Sequence, residues 1–480
     1  MYISKSFEQL TISAIIICTI CLMLSHQADG QSLVPLDDLS SFQDPGESWK
    51  IVGNVTADLA NSNVLENSKG TGILLNISDE ERHGSDLFTK REYGDMDLEL
   101  EYMMAVGSNS GIYLQGRYEL QLEDTWGASN PTSANNGGIY EYWDDSHPEG
   151  DQGYGGHPPR QNASRAPGLW QHLEISFQAP RFSDSGKKIE NARILLVKLN
   201  GVIVQDNVEL LAPTRGAIDK QEKASGPLRF QGDHGAVAFR NIKITNYDKP
   251  RPKDEEAERR NQIYPILIDA PINKVVHSFM DLAGGKRLVH AVSVGSPQQI
   301  HYTYDMDSGM IVQVWRGGFL NAAPMWHSRG DGSSRPVGAM QQFGEPVPAI
   351  AKLSSPQAAW PTNNLDSGYR PKGYVLDKHG RPQFRYLTED VSVLDASKAL
   401  SDGRGISREI AVKGSSEDLY IRLAEGDTIV EISEGTYLID KSYYLRLDKA
   451  HGAKPIVRNV DGGRELIIPL RGEIGYTILF

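Results

Sequence analysis

The feature that most constrains this chain is an alternation. From Tyr118 the sequence reads YELQLE, which puts Tyr118, Leu120 and Leu122 on one face of a strand. Arg117, Glu119, Gln121 and Glu123 then fall on the other face. A helix, with its period near 3.6, would scatter both sets around its circumference, so this segment specifies a strand. The apolar face belongs to a core. The polar face sets carboxylates, an amide and a guanidinium at intervals of roughly 6.5–7 Å along the strand, a spacing suited to gripping the hydroxyls of a sugar. Mixed charge is also common on the solvated face of an antiparallel sheet, so the alternation alone leaves that plainer reading open.

The neighbouring sequence extends the β pattern. Short apolar runs at Trp49–Val52, Gly72–Asn76, Met96–Met103, Trp170–Phe177, Arg193–Leu199 and Ala238–Thr245 are bounded by Gly, Asp or Asn. None has the sustained period of a long amphipathic helix, and together they predict an all-β sandwich. Asn200-Gly201 is a hairpin dipeptide, able to take positive φ at both central positions. Between Ala128 and Gly168 lies a long segment rich in Gly, Pro and Asn but also in aromatics, including Tyr140, Trp143 and Tyr154. Loops of this length are usually functional or disordered, and the aromatics count against disorder. In LRFQGDHG, Arg229 and Gln231 share a face and His234 sits in the turn that follows.

With 480 residues the chain exceeds one ordinary core, so two domains are expected. The charged run DKPRPKDEEAERRN, Asp248 to Asn261, marks the boundary. The resulting division is a signal peptide over 1–30, a first domain over 31–247, a linker over 248–262 and a β-rich second domain over 263–480. Lys5, the apolar run Ile12–Leu24 and the small residues before Gln31 form an export signal with cleavage near Gly30. Cys18 and Cys21 both fall inside that signal, so the mature chain would carry no cysteine, hence no disulfide framework and no thiolate metal site. A large exported protein without cysteine fits a bacterial periplasm, with no membrane insertion once the signal is removed. A formal net charge of -13 argues against a nucleic-acid partner. A small-molecule or oligosaccharide substrate remains, and the sequence is silent on oligomeric state.

SNSGIYLQGRYELQLEDTWG, NNGGIYEYW, NASRAPGLWQHLEISF and GPLRFQGDHGAVAFRNIKI follow one another between Leu36 and Tyr247. In that order they resemble the successive motifs of the 3-keto-disaccharide hydrolase domain family. The resemblance implies the concanavalin-like jelly roll shared with legume lectins and laminarinase-type glucanases. Residues Glu141 to His157 look like an insertion relative to the family pattern. The second half, with VQVWRGGFLNAAPMWHSRGDGSSRP and LDKHGRPQFRY, is more loosely similar to the β-sandwich of mutarotase-like carbohydrate proteins.

Ordinary glycoside hydrolysis needs two carboxyl groups astride the scissile bond. Glu119 and Glu123 share a strand face but lie roughly 13 Å apart, too far for either standard arrangement. The family resemblance implies another route: a ketone at carbon 3 acidifies the hydrogen on carbon 2, and one base removes it as the group on carbon 1 departs. On that reading Glu119 is the base or a metal ligand and His234 its acid/base partner. The substrate-binding groups expected around them are Arg117, Gln121, Tyr113, Gln115, Glu123, Asp124, Trp126, Tyr140, Trp143, Arg165 and Gln231. Glu, Gln and His donors would accept a divalent cation, although no spacing requires a cofactor. The chain therefore reads as an exported glycoside-cleaving enzyme, with a non-catalytic carbohydrate-binding protein as the alternative.

Overall fold

The computed structural model describes residues 30–78, 84–247, 264–389, 391–414 and 417–480. Residues 1–29, which hold nearly all of the expected signal, and the expected linker at 248–262 lie outside the described residues. The expectation of an all-β protein holds. Among the described residues the only α-helices are the single turns Ala323–Trp326 and Asn364–Ser367, and no helix is long and apolar enough to cross a membrane.

In the first half, Phe42–Gln43, Leu87–Tyr93, Gly226–Phe230, Asn109–Leu114 and Tyr118–Glu123 pair in that order into a five-stranded sheet. A second sheet runs Val202–Leu210, Ala192–Leu199, Gln171–Gln178, Asp95–Met104, Val237–Tyr247, Leu65–Asn76 and Trp49–Ala57, with Gly30–Leu33 also paired to Val237–Tyr247. Alternation decides what lies between them. Ile112, Tyr118, Leu120, Leu122 and Phe230 of the first sheet share one core with Leu98, Leu100, Tyr102, Phe177 and Phe239 of the second. Tyr118 meets Phe177 at 5.7 Å between ring centroids, and Phe230 meets Phe239 at 4.9 Å. Each such side chain stabilises the sandwich by roughly 1.5–3 kcal/mol when fully buried, and a one-residue slip of register would turn it out of the core.

Tyr118–Glu123 is the last strand of its sheet, and its outer edge is covered. Gln121 N donates to Gly138 O at 2.8 Å, Gly137 N to Gln121 O at 2.8 Å and Tyr140 N to Glu119 O at 3.1 Å. The aromatic segment beyond is ordered by its own contacts. Tyr142–Trp143 pairs with Gly153–Tyr154, and Tyr154 packs against Tyr142 and His147, each at 5.6 Å.

The second half builds two eight-stranded sheets and one four-stranded sheet over a core that includes Val292, Ile311, Phe384, Ile410, Leu445, Ile468 and Tyr476. Within it Arg408 is buried against Asp395, which also accepts the Tyr304 hydroxyl at 3.0 Å. Here too the sequence missed a feature: His301 is a core residue. Its Nδ1 accepts from Ser296 N at 3.1 Å, its Nε2 donates to Gly317 O at 2.9 Å, and burial lowers its pKa to about 4.

The halves meet through Trp126, Ala166 and Leu169 on one side and Leu438, Tyr444 and Leu479 on the other. Trp126 Nε1 donates to Phe480 O at 3.0 Å, the Tyr444 hydroxyl to Pro167 O at 2.9 Å, and Gln161 Nε2 to Val337 O at 2.9 Å.

Candidate active site

Three adjacent strands present a lattice of polar groups on the face of the five-stranded sheet turned away from the core. Arg229 lies opposite Tyr113, and Tyr113 opposite Glu119, in one row across the sheet. In the next row Gln231, whose backbone N donates to Gly111 O at 2.9 Å, is followed by Gly111 and Gln121. Asn109 and Glu123 form the third.

Glu119 is 2 % exposed. Gly111 makes room for it, since a Cβ on Gly111 would lie 2.3 Å from Glu119 Oε1. With its amide nitrogen turned inward, Gln121 donates to Glu119 Oε1 at 3.0 Å and to Ser110 O at 3.1 Å. Among the described residues Glu119 Oε2 has no hydrogen-bond partner. Burial pushes the carboxyl pKa up to about 8; the Tyr113 hydroxyl and the Arg229 guanidinium pull it down, while Asp86 and Asp233 push it further up. A carboxyl held this way is protonated at neutral pH and becomes a stronger base than an exposed glutamate once it ionises.

Arg229 stacks on the Tyr113 ring, 4.1 Å from its centroid, and its Nη2 lies 2.7 Å from Asp86 Oδ2. Its Nη1 donates to Gly216 O, which ties the loop after Leu210 to the site. Among the described residues, four buried polar atoms on this face lack a protein partner: Glu119 Oε2, Gln231 Oε1, Asn109 Oδ1 and Arg229 Nε. An unpaired buried polar atom costs about 1–3 kcal/mol, so native proteins pair nearly all of them. Their concentration on one patch makes this face the candidate site. Two acceptors, one donor and a carboxyl oxygen that gives or takes according to its protonation suit a ligand rich in hydroxyl groups, which can both give and take a hydrogen bond.

Of the residues read from the sequence, Tyr113, Glu119, Gln121, Glu123 and Gln231 are gathered on this face. Tyr140 borders it, with its hydroxyl under the influence of the Glu119 and Arg215 charges. Glu123 is held by Asn135 Nδ2 at 2.6 Å. His234 stands in the turn after Gln231, about half exposed, with Nδ1 2.5 Å from Asp233 Oδ1.

Several expected ligand contacts are instead structural. Arg117 is buried, and its guanidinium is spent on Gln221 O, Gln115 O and Asp219 Oδ2 at 2.7–2.8 Å. Gln115 takes positive φ in the turn to Tyr118, and its Nε2 donates to Tyr93 O at 3.2 Å and Ala224 O at 3.1 Å. Asp124 accepts from Gly107 N at 2.8 Å and Trp126 N at 3.2 Å, and Trp126 belongs to the junction between the halves. Trp143 carries the Arg215 guanidinium 3.8 Å above its ring, so that face is already covered. Arg165 is half-buried near Glu101 of the opposite sheet and reaches Gln341 Oε1 of the second half at 3.4 Å.

Arg229, Asp86, Asn109, Gly111 and Asp233 were not among the residues picked from sequence. Arg229 was within reach, because it shares the face of Gln231 in LRFQ. Asp86 and Asn109 carry no local signal, since only strand pairing brings them to the patch. Among the described residues no group of three or more His, Cys, Asp or Glu is placed to hold a metal ion.

The family model of the 3-keto-alpha-glucoside-1,2-lyase-like domain matches residues 38–245. Two solved Parabacteroides distasonis proteins, both provisionally assigned as glycosyl hydrolases, are similar to part of the chain. One is 24% identical over 45% of this chain and 84% of its own, with a TM-score of 0.32. The other is 20% identical over 45% of this chain and 100% of its own, with a TM-score of 0.29. The binding domain of botulinum neurotoxin serotype D spans 94% of this chain and 93% of its own at 9% identity, with a TM-score of 0.24. No curated protein matches the chain in sequence. Residues 38–245, with Glu119 and its polar lattice at their centre, form a domain of the carbohydrate-active 3-keto-alpha-glucoside-1,2-lyase-like family.

Proposed function

We propose that the Glu119 patch cleaves glycosides bearing a ketone at carbon 3. Ionised Glu119 takes the proton from carbon 2, and the electron pair of that C–H bond forms an enolate delocalised onto the carbon 3 oxygen. The enolate re-forms the ketone as a carbon 1–carbon 2 double bond develops and the carbon 1–oxygen bond breaks. The departing oxygen takes a proton and leaves as an alcohol. Water then adds across the double bond, with its oxygen at carbon 1 and a proton at carbon 2, giving the free 3-keto sugar. Arg229 Nε, a donor with no partner among the described residues, is suited to the developing oxyanion. His234, in the turn beside Asp233, is suited to giving the leaving oxygen its proton.

The observation that carries this reading is a single buried carboxyl, raised to about 8 and left with one oxygen unpaired in a hydroxyl-complementary patch. The test is release of nitrophenol from p-nitrophenyl 3-keto-glucoside against p-nitrophenyl glucoside. Cleavage of the ketone alone, abolished in Glu119→Gln, is expected. Equal cleavage of both substrates would indicate direct hydrolysis, and binding without release would make the patch a carbohydrate-recognition site. The same proposal includes export to the periplasm, which N-terminal sequencing of the mature chain checks by a start near Gln31.

A further inference from the structure

Asp86 has no part in the chemistry set out above, yet it touches both segments that carry Arg229 and His234. It stands just before the strand Leu87–Tyr93, which runs antiparallel to Gly226–Phe230 with Leu87 opposite Phe230. Continuing that register by a single residue sets Asp86 alongside Gln231, past the last paired position. From there its two oxygens reach in different directions. Oδ2 lies 2.7 Å from Arg229 Nη2, and Oδ1 accepts from Gly232 N at 3.4 Å. Gly232 opens the turn Gly232-Asp233-His234-Gly235.

The segments on either side of Asp86 and Gly232 are packed backbone to backbone. A Cβ on Gly84 would run into Gly232 O, and one on Gly232 into Ser85 O, so the approach requires glycine on both sides. The opposite sheet closes the frame: Trp49 Nε1 donates to Ser85 O at 2.6 Å and Asn76 Nδ2 to Gly232 O at 2.8 Å. Within that frame the Arg229 guanidinium is held at two of its nitrogens. Nη1 donates to Gly216 O, Nη2 meets Asp86, and the group stacks on the Tyr113 ring at 4.1 Å. Among the described residues Nε is left without a partner. A planar guanidinium fixed at both terminal nitrogens has little freedom to turn, so Asp86 and Gly216 set the direction of the remaining N–H.

We propose that Asp86 is a positioning residue, which fixes the Arg229 donor and the His234 turn in one frame beside Glu119. This rests on reading the patch as the site of 3-keto-glycoside cleavage. The charged and titratable groups acting on Glu119 are Tyr113, Arg229, Asp86 and Asp233, with Tyr140 at the border. Asp86 is one of the groups that push the Glu119 carboxyl up, so neutralising it lets Glu119 ionise at lower pH. A contact that only stabilised the fold would leave that pH dependence unmoved.

The test compares the full chain with Asp86→Asn, which keeps an acceptor oxygen and loses the charge, and Asp86→Ala, which loses both. Asp86 is half-buried, and the isosteric Asp86→Asn keeps the test open where Asp86→Ala fails to fold. With p-nitrophenyl 3-keto-glucoside, Asp86→Ala is expected to lose about a hundredfold in kcat with KM little changed. In Asp86→Asn the limb of the kcat/KM profile set by Glu119 is expected to move to lower pH. An unchanged kcat in Asp86→Ala, a loss confined to KM, or an unmoved limb in Asp86→Asn would overturn the proposal. The nitrogen-15 signal of the Arg229 Nε–H needs no turnover: slow exchange with solvent in the parent, becoming fast in Asp86→Ala, is expected. Slow exchange retained in that variant, or fast exchange already in the parent, would overturn the proposal. Should the parent leave the keto-glucoside uncleaved, the functional reading falls and this signal alone decides whether Asp86 holds the frame.

Discussion

At the scale of single residues the account turns on Glu119. Its carboxyl has a pKa near 8 in the folded chain against an ordinary value of 4.5, so the native state holds this proton more tightly than the unfolded chain does. Stability from this group is therefore present in full below pH 4.5 and is lost as pH rises through about 8. Glu119→Gln removes that dependence. Between these limits the melting temperature of the parent protein is expected to fall with pH relative to the variant, as calorimetry at several pH values would record. Parallel curves would mean that the carboxyl is not buried as described. Glu119 was legible because strand alternation announces which side chains share a face. Arg117, on the same face by that rule, was misjudged: it opens the strand at a turn, and the backbone carbonyls of Gln115 and Gln221 claim its donors first.

At the scale of elements the site is made by strand pairing. Glu119 fits because Gly111, diagonally across from it on the neighbouring strand and opposite Gln121, has no side chain. Gly111→Ala would drive the carboxyl out of its seat. The expected result is a loss of turnover of about a hundredfold with a stability cost of about 1–3 kcal/mol, measured by nitrophenol release and by denaturant titration. Full activity in that variant would show that the carboxyl does not need this seat. Sequence reasoning found the Asn200-Gly201 hairpin, whose φ values of 51° and 79° are the pair this turn requires. It did not find the equivalent turn at Gln115-Gly116, with φ of 54° and 67°. Glutamine seldom takes positive φ, and here the backbone carbonyls of Tyr93 and Ala224 hold its side chain in place. The partners of Glu119 were hidden for a similar reason: Asp86 and Arg229 are over a hundred positions apart and are joined only across the sheet.

At the scale of the whole molecule, the strand carrying Glu119 runs directly into the junction of the two halves. Residues 124–126 follow it, and Trp126 reaches Phe480 while Arg404 lies over its ring at 5.1 Å. The second half thereby braces one end of the site strand. Trp126→Ala is expected to cost about 2 kcal/mol and to separate unfolding into two transitions by calorimetry; a single unchanged transition would show that the halves are coupled elsewhere. The all-β character of both halves was readable from short alternating runs. The junction was not, because its members look like surface aromatics and loop residues until the two halves are brought together.

The central claim is that a proton leaves carbon 2 before or as the glycosidic bond breaks. The direct measurement is the rate of nitrophenol release from p-nitrophenyl 3-keto-glucoside deuterated at carbon 2, against the protiated compound. Slower release from the deuterated substrate, with the label lost to solvent, is the predicted result. Equal rates with the deuterium retained at carbon 2 would contradict it.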